Sequence, residues 1–171
     1  LWLPKGVGTF GRLIRWTFSA FRITISRSDV IRRREGHDMG RHEAAEQYEK
    51  ALASGKRCYR ECVHAGRYPY LQALDELIDE TEVRGYESIG LVEVPMELVA
   101  GTRVAGRRNA FAANFMPLLG EQSEFAYKWI SLCEAHLSDE GIRDPVEVYE
   151  YLGRFYVQEG NKRVSVLKSF G

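Results

Sequence analysis

The chain has 171 residues, with 24 lysines and arginines against 24 aspartates and glutamates, and 44% hydrophobic and 28% charged side chains. That balance excludes collagen-like and disordered chains, acidic tails and histone-like binders, and the length fits one domain with an appendage. Three cysteines, Cys58, Cys62 and Cys133, are too few and odd in number for a disulfide framework, which fits a reducing compartment and a cytoplasmic protein. No apolar run reaches the roughly 18 to 20 residues that span a bilayer.

The zero net charge conceals segregation. Residues 1–38 hold eight basic and three acidic side chains, and residues 39–171 hold sixteen and twenty-one, so a +5 leader precedes a −5 body. In the leader, Phe10, Leu13, Phe18, Phe21 and Ile25 interleave with Arg12, Arg15 and Arg22, a pattern for a basic amphipathic helix at a membrane surface or for organelle import. The run Ile23-Thr24-Ile25 weakens such a helix. The alternative is a disordered or translated upstream segment with the natural start at Met39, because Arg34-Glu35-Gly36 can be encoded by a purine-rich stretch resembling a bacterial ribosome-binding site. The expected organisation is a leader over 1–38, a helical segment over 39–86 and an α+β unit over 87–171.

From Arg41 to Ala65, Ala44, Tyr48, Leu52, Tyr59, Cys62 and Val63 recur at three-to-four spacing, with Gly66 placed to cap the helix. Cys58, Cys62 and His64 there, and Cys133 with His136 far along the chain, lack zinc-site spacing and read as buried thiols and a packed histidine. After the turn Arg67-Tyr68-Pro69-Tyr70, Leu71, Leu74, Leu77 and Ile78 predict a second helix, and with it a helical hairpin over 42–82. Ile89 to Pro95 predicts a strand and Met96 to Val99 a connecting turn. Val104 to Leu119 predicts a helix closed by Pro117. Within it Arg107 and Arg108 are candidate anion contacts, although an exposed arginine pair needs no ligand. Ser123 is placed to cap a helix carrying Phe125, Trp129, Leu132, Cys133, His136 and Leu137 on one face. Val146 to Tyr151 and Arg154 to Gln158, separated by Leu152-Gly153, predict a β-hairpin.

The segment with chemical potential follows that hairpin directly. Glu159-Gly160-Asn161-Lys162-Arg163 joins a strand to a helix start in which Val164, Leu167 and Lys168 keep helical spacing. A glycine there admits close backbone approach, the first helical N–H groups lack partners, and Lys162 and Arg163 add positive charge. Such a junction suits phosphate, while a merely solvated helix start is the alternative.

The runs Ile142-Arg143-Asp144-Pro145-Val146-Glu147-Val148 and Phe155 to Leu167, with its Glu-Gly-x-x-Arg loop, resemble the central motif of the ParB/sulfiredoxin-like superfamily over about residues 89–171. The resemblance implies a small mixed sheet with helices, truncated at its C-terminus. It also implies a nucleotide-phosphate site at Gly160, Asn161, Lys162 and Arg163 for CTP or ATP with magnesium, and Glu159 as a metal or water contact and the candidate catalytic group. Asn161 stands where sulfiredoxins carry their nucleophilic cysteine, which contradicts that activity. The segments Gly66 to Leu71, Asn114 to Leu118 and Phe155 to Lys168 are similar to bacterial proteins bearing this segment ahead of a solute-binding, basic-membrane-protein-type component of ABC transporters.

The expected function is therefore a nucleotide-binding regulatory module. The alternatives are a transporter-associated adaptor and an enzyme that transfers or hydrolyses a nucleotide phosphate. A downstream domain is an expected partner, a homodimer is left open, and the −5 body argues against duplex DNA as a partner of this segment alone.

Overall fold

The computed structural model describes residues 11–15, 29–79, 86–139 and 141–171, with side-chain surroundings from residue 40 onward except 80–87, 89 and 140. The rest of the leader, and with it most of the expected basic helix, lies outside the described residues. Among the described residues three α-helices accompany a six-stranded mixed sheet, an α+β architecture. The helices are α1 (Asp29–His64), α2 (Glu124–Leu137) and α3 (Asn161–Ser169). The strands are β1 (Gly11–Arg15), β2 (Gln72–Ala73), β3 (Tyr86–Leu91), β4 (Val99–Thr102), β5 (Glu147–Tyr151) and β6 (Arg154–Glu159), in the order β2-β4-β6-β5-β1-β3. Neighbours run parallel in β2/β4, β4/β6 and β1/β3, and antiparallel in β5/β6 and β1/β5.

Helix α1 crosses the residue 38/39 boundary expected from charge. It buries Ala44, Tyr48, Ala51, Leu52 and Cys62; of the face read from the spacing Tyr59 is half-buried and Val63 is exposed. It ends as Gly66 adopts φ 64°, while the Gly66 amide donates to Val63 and the Arg67 amide to Cys62, the paired bonds of a Schellman cap. At Gly55 a Cβ would stand 2.3 Å from the Pro117 carbonyl oxygen, so only glycine lets α1 approach that loop.

The second arm of the expected hairpin takes another form. Residues 72–76 make the two-residue strand β2 and one 3₁₀ turn (Leu74–Glu76), and residues 80–85 lie outside the described residues. Leu71, Ala73 and Leu74 are buried, so the leucine spacing that suggested a helix serves a strand and a turn instead. The strand partner is β4, which follows the connecting turn expected from Met96 to Val99: Met96–Leu98 is a 3₁₀ turn and the strand starts at Val99. Its Gly101 lies so close to β2 that a Cβ would meet the Gln72 carbonyl oxygen at 2.0 Å.

The helix expected over 104–119 is also corrected. Only a 3₁₀ segment, Ala105–Ala110, forms, and the chain then folds back with bridges Phe111↔Pro117 and Tyr70↔Ala112. Phe115 takes φ 67°, and Asn114 Oδ1 accepts from the Met116 amide, a local turn that competes with helix. The apolar run is buried there as a folded loop, with Phe111, Ala112, Phe115 and Met116 all in the core.

The strand expected from Ile89 to Pro95 lies earlier, as Tyr86–Leu91, whereas α2 and the β5–β6 hairpin match their sequence signals. Ser123 Oγ accepts from the Ala126 amide at 3.1 Å and starts α2. Strands β5 and β6 pair around Leu152 and Gly153, both at positive φ (52° and 74°), a type I′ turn. Leu152 is a costly residue for that conformation, so Leu152→Asn is expected to stabilise the protein by about 1 kcal/mol. Thermal melting checks this, and an unchanged or lower midpoint would contradict it.

Helix α3 lies between two cores. Val164 packs with Leu71, Val99, Phe111, Phe115, Val146, Val148 and Val157 against the sheet. Val166 packs with Tyr48, Leu52, Trp129 and Cys133 against α1 and α2. Ser165 between them accepts a hydrogen bond from Trp129 Nε1 at 2.9 Å, with both residues fully buried. This double burial fixes the N-terminus of α3 at the end of β6. Among the described residues no helix is long and apolar enough to cross a membrane.

Candidate phosphate-binding site

Gly160 caps α3 with φ 103°, a left-handed conformation that favours glycine, and a Cβ there would press on Val146 at 3.2 Å. The helix opens with the Val164 amide donating to the Gly160 carbonyl at 3.0 Å. No side chain caps it, so the amides of Asn161, Lys162 and Arg163 enter the helix without intrahelical acceptors. They border a cavity of about 900 Å³ whose other walls are the 3₁₀ segment, with Arg107, and the Glu124–Leu132 stretch of α2.

Four cationic side chains line this cavity: Arg107, Lys128, Lys162 and Arg163. Lys128 is paired with Glu124 at 2.5 Å, and that contact holds the Glu124 carboxyl below its ordinary pKa. Lys162 is different. Its ammonium lies 5.0 Å from the centre of the Phe125 ring, and burial, then repulsion from Lys128, push its pKa down, with Arg107 adding to the push and Glu124 opposing it. Lys162 is thus a disfavoured cation beside uncapped helix amides, and a bound anion relieves it.

Arg163 has a structural role. Its Nη1 donates to the Pro145 carbonyl at 2.7 Å and its Nη2 stands 3.8 Å from the Asp144 carboxylate, with only 19% of the side chain exposed. It ties the start of α3 to the loop before β5 and positions Gly160. Arg108 does not join the site. It pairs with Glu76, which raises its pKa, and lies 5.1 Å from the Tyr68 ring centre. The expected arginine pair is thereby split, because in the 3₁₀ segment adjacent side chains point to different neighbours. Glu159 lines the cavity and is exposed, opposite Glu147 in the β5/β6 register.

Asn161 is 7% exposed and lines the cavity. Its Nδ2 donates to Thr102 Oγ1 at 3.2 Å, and Thr102 Oγ1 donates to the Val157 carbonyl at 3.2 Å. Asn161 Oδ1 is buried and has no hydrogen-bond partner among the described residues, an omission that costs about 1–3 kcal/mol.

The structure therefore brings Arg107, Glu159, Gly160, Asn161, Lys162 and Arg163 to one cavity and leaves Arg108 outside it. The sequence reading missed Glu124, Phe125 and Lys128. Their only local signal was the i,i+4 spacing of Glu124 and Lys128, which marks an ordinary solvated helix face as readily. The cysteines lie elsewhere: Cys62 and Cys133 are buried, and burial pushes the Cys133 thiol up to about 12. His136 packs on Phe170 with ring centres 4.8 Å apart, and burial lowers its pKa. Among the described residues no three His, Cys, Asp or Glu side chains gather as a metal-ion cluster. No known family's model, no curated protein and no solved structure matches the chain.

Proposed function

We propose that the chain is a cytoplasmic nucleotide-binding module of the ParB/sulfiredoxin-like kind, holding a nucleotide's phosphates at the N-terminus of α3. The observation that carries this reading is the convergence of the uncapped amides of residues 161–163 with Lys162 and Arg107 around one cavity. Backbone N–H groups and the helix dipole supply the anion subsite, and Lys162 supplies a mobile charge. The cavity volume of about 900 Å³ exceeds what phosphate alone needs and lies in the range of sites for nucleotide-sized ligands. Phe111, Phe125 and Leu132 give it an apolar wall suited to a base or sugar.

ATP and CTP are the ligands to test, with magnesium carried by their phosphates. Calorimetric titration of the 171-residue chain with each nucleotide and magnesium is expected to give saturable binding. Heats no larger than dilution for both nucleotides would overturn the proposal.

A further inference from the structure

We infer that the exposed face of α1 is an interface for a second copy of this chain, with the two helices antiparallel about a two-fold axis at Ala53. Glu46, Glu49, Ala53, Arg57 and Arg60 follow one another along α1 at three-to-four spacing, so they form one stripe, and all five are exposed. None of them lines the cavity at α3. The stripe is symmetric in position about Ala53 and opposite in charge on its two sides: Glu46 and Arg60 stand equally far from Ala53, as do Glu49 and Arg57. A helix face that only meets water gains from unlike charges three or four residues apart. This one places like charges there, Glu46 with Glu49 and Arg57 with Arg60, and Lys56 at its flank adds to the second group. Lys50 and Glu61 also flank the stripe, but among the described residues the one ion pair along α1 is His42 with Glu46 at 3.3 Å. The helix dipole does not account for the pattern, because it acts within the first and last turns and α1 runs from Asp29 to His64.

A second copy laid antiparallel supplies the missing partners. Each residue then faces the one equally far beyond Ala53, so Glu46 meets Arg60 of the partner subunit and Glu49 meets Arg57 of the partner subunit, and the two-fold axis repeats both pairs. Ala53 at the axis has no bulk to hold the backbones apart, and a crossing near 20° keeps the helices side by side along the stripe. A parallel pair would set glutamate against glutamate and arginine against arginine, so the charges select the antiparallel arrangement as well as the partner.

The test is sedimentation velocity of the 171-residue chain over a concentration series at two ionic strengths. A dimer with a dissociation constant of about 10–100 µM is expected at about 20 mM salt, weakening at least about tenfold at about 0.5 M. A monomer at about 1 mM in the low-salt buffer, or a dimer that salt leaves unchanged, would overturn the inference. The double variants Glu46→Arg with Glu49→Arg and Arg57→Glu with Arg60→Glu change exposed positions only, so both are expected to fold as the wild type does by circular dichroism. Each alone is expected to be monomeric, and their equimolar mixture to associate at least as tightly as the wild type, since mixing restores every pair. Wild-type dimerisation by either variant alone, or no association of the mixture, would contradict the pairing. Ala53→Cys is expected to give a covalent dimer under air with copper phenanthroline where the wild type, treated in parallel, gives none. A dimer in which that cross-link fails to form would refute the axis at Ala53.

Discussion

Trp129→Ala is expected to destabilise the protein by about 3–5 kcal/mol, the range for emptying a large aromatic site in a close-packed core. Trp129 is fully buried, meets the Tyr48 ring edge-on at 5.2 Å, and shares a cluster with α1, α2 and α3 residues. The substitution also removes the donor to Ser165 Oγ, a buried hydroxyl on α3. Against a typical total of about 5–15 kcal/mol this is a large fraction. Trp129→Phe keeps most of the apolar contact but still strands Ser165, so its expected cost is about 1–3 kcal/mol. Urea denaturation followed by far-ultraviolet circular dichroism separates the two. Equal losses for both would assign the whole effect to the hydrogen bond, and losses under 1 kcal/mol for both would contradict the packing described.

Lys162→Met is expected to weaken nucleotide binding by about 10- to 100-fold with little change in the melting midpoint. A charge-assisted hydrogen bond to phosphate is worth about 1.5–3 kcal/mol, which sets that range. Folding loses little, because the ammonium is held down in pKa by burial and by Lys128 and Arg107, and the methionine stem can still pack on Phe125. A bound anion reverses that push and favours the charged form. Binding therefore takes up protons where free Lys162 is partly neutral, and affinity falls as pH rises through its depressed pKa. Arg107→Ala should act in the same direction. Calorimetric titration against the wild-type chain checks both, and an unchanged dissociation constant in Lys162→Met would contradict the role of that side chain.

How much of this was legible in the sequence depends on how local each signal was. The β5–β6 hairpin, the Ser123-capped α2, and the Gly66 end of α1 each announce themselves within a few residues through alternation, a cap or a positive-φ glycine. The Gly160 junction was legible for the same reason, since a strand, a glycine and a basic helix start are contiguous. Strands β2 and β4 were not, because two- and four-residue strands carry no readable period, and Gly101 reveals its purpose only against the Gln72 carbonyl. The 104–119 region misled because an apolar run buried as a folded loop has the same composition as one buried in a helix. Arg108 and Arg163 were read as free cations, whereas Glu76 and Pro145, distant in sequence, engage them. The contact of Asn161 with Thr102 joins residues far apart in sequence, so no local pattern could expose it.

The central claim, a phosphate site at the start of α3, is tested most directly by titrating magnesium–ATP and magnesium–CTP into the isotopically labelled chain and following every backbone amide. Large, saturable shifts are predicted at Gly160, Asn161, Lys162 and Arg163, with smaller ones along the facing wall at Arg107 and Phe125. Shifts confined instead to the separate cavity of about 390 Å³ around Gln47, Met96 and Lys168, or no saturable shifts with either nucleotide, would contradict it.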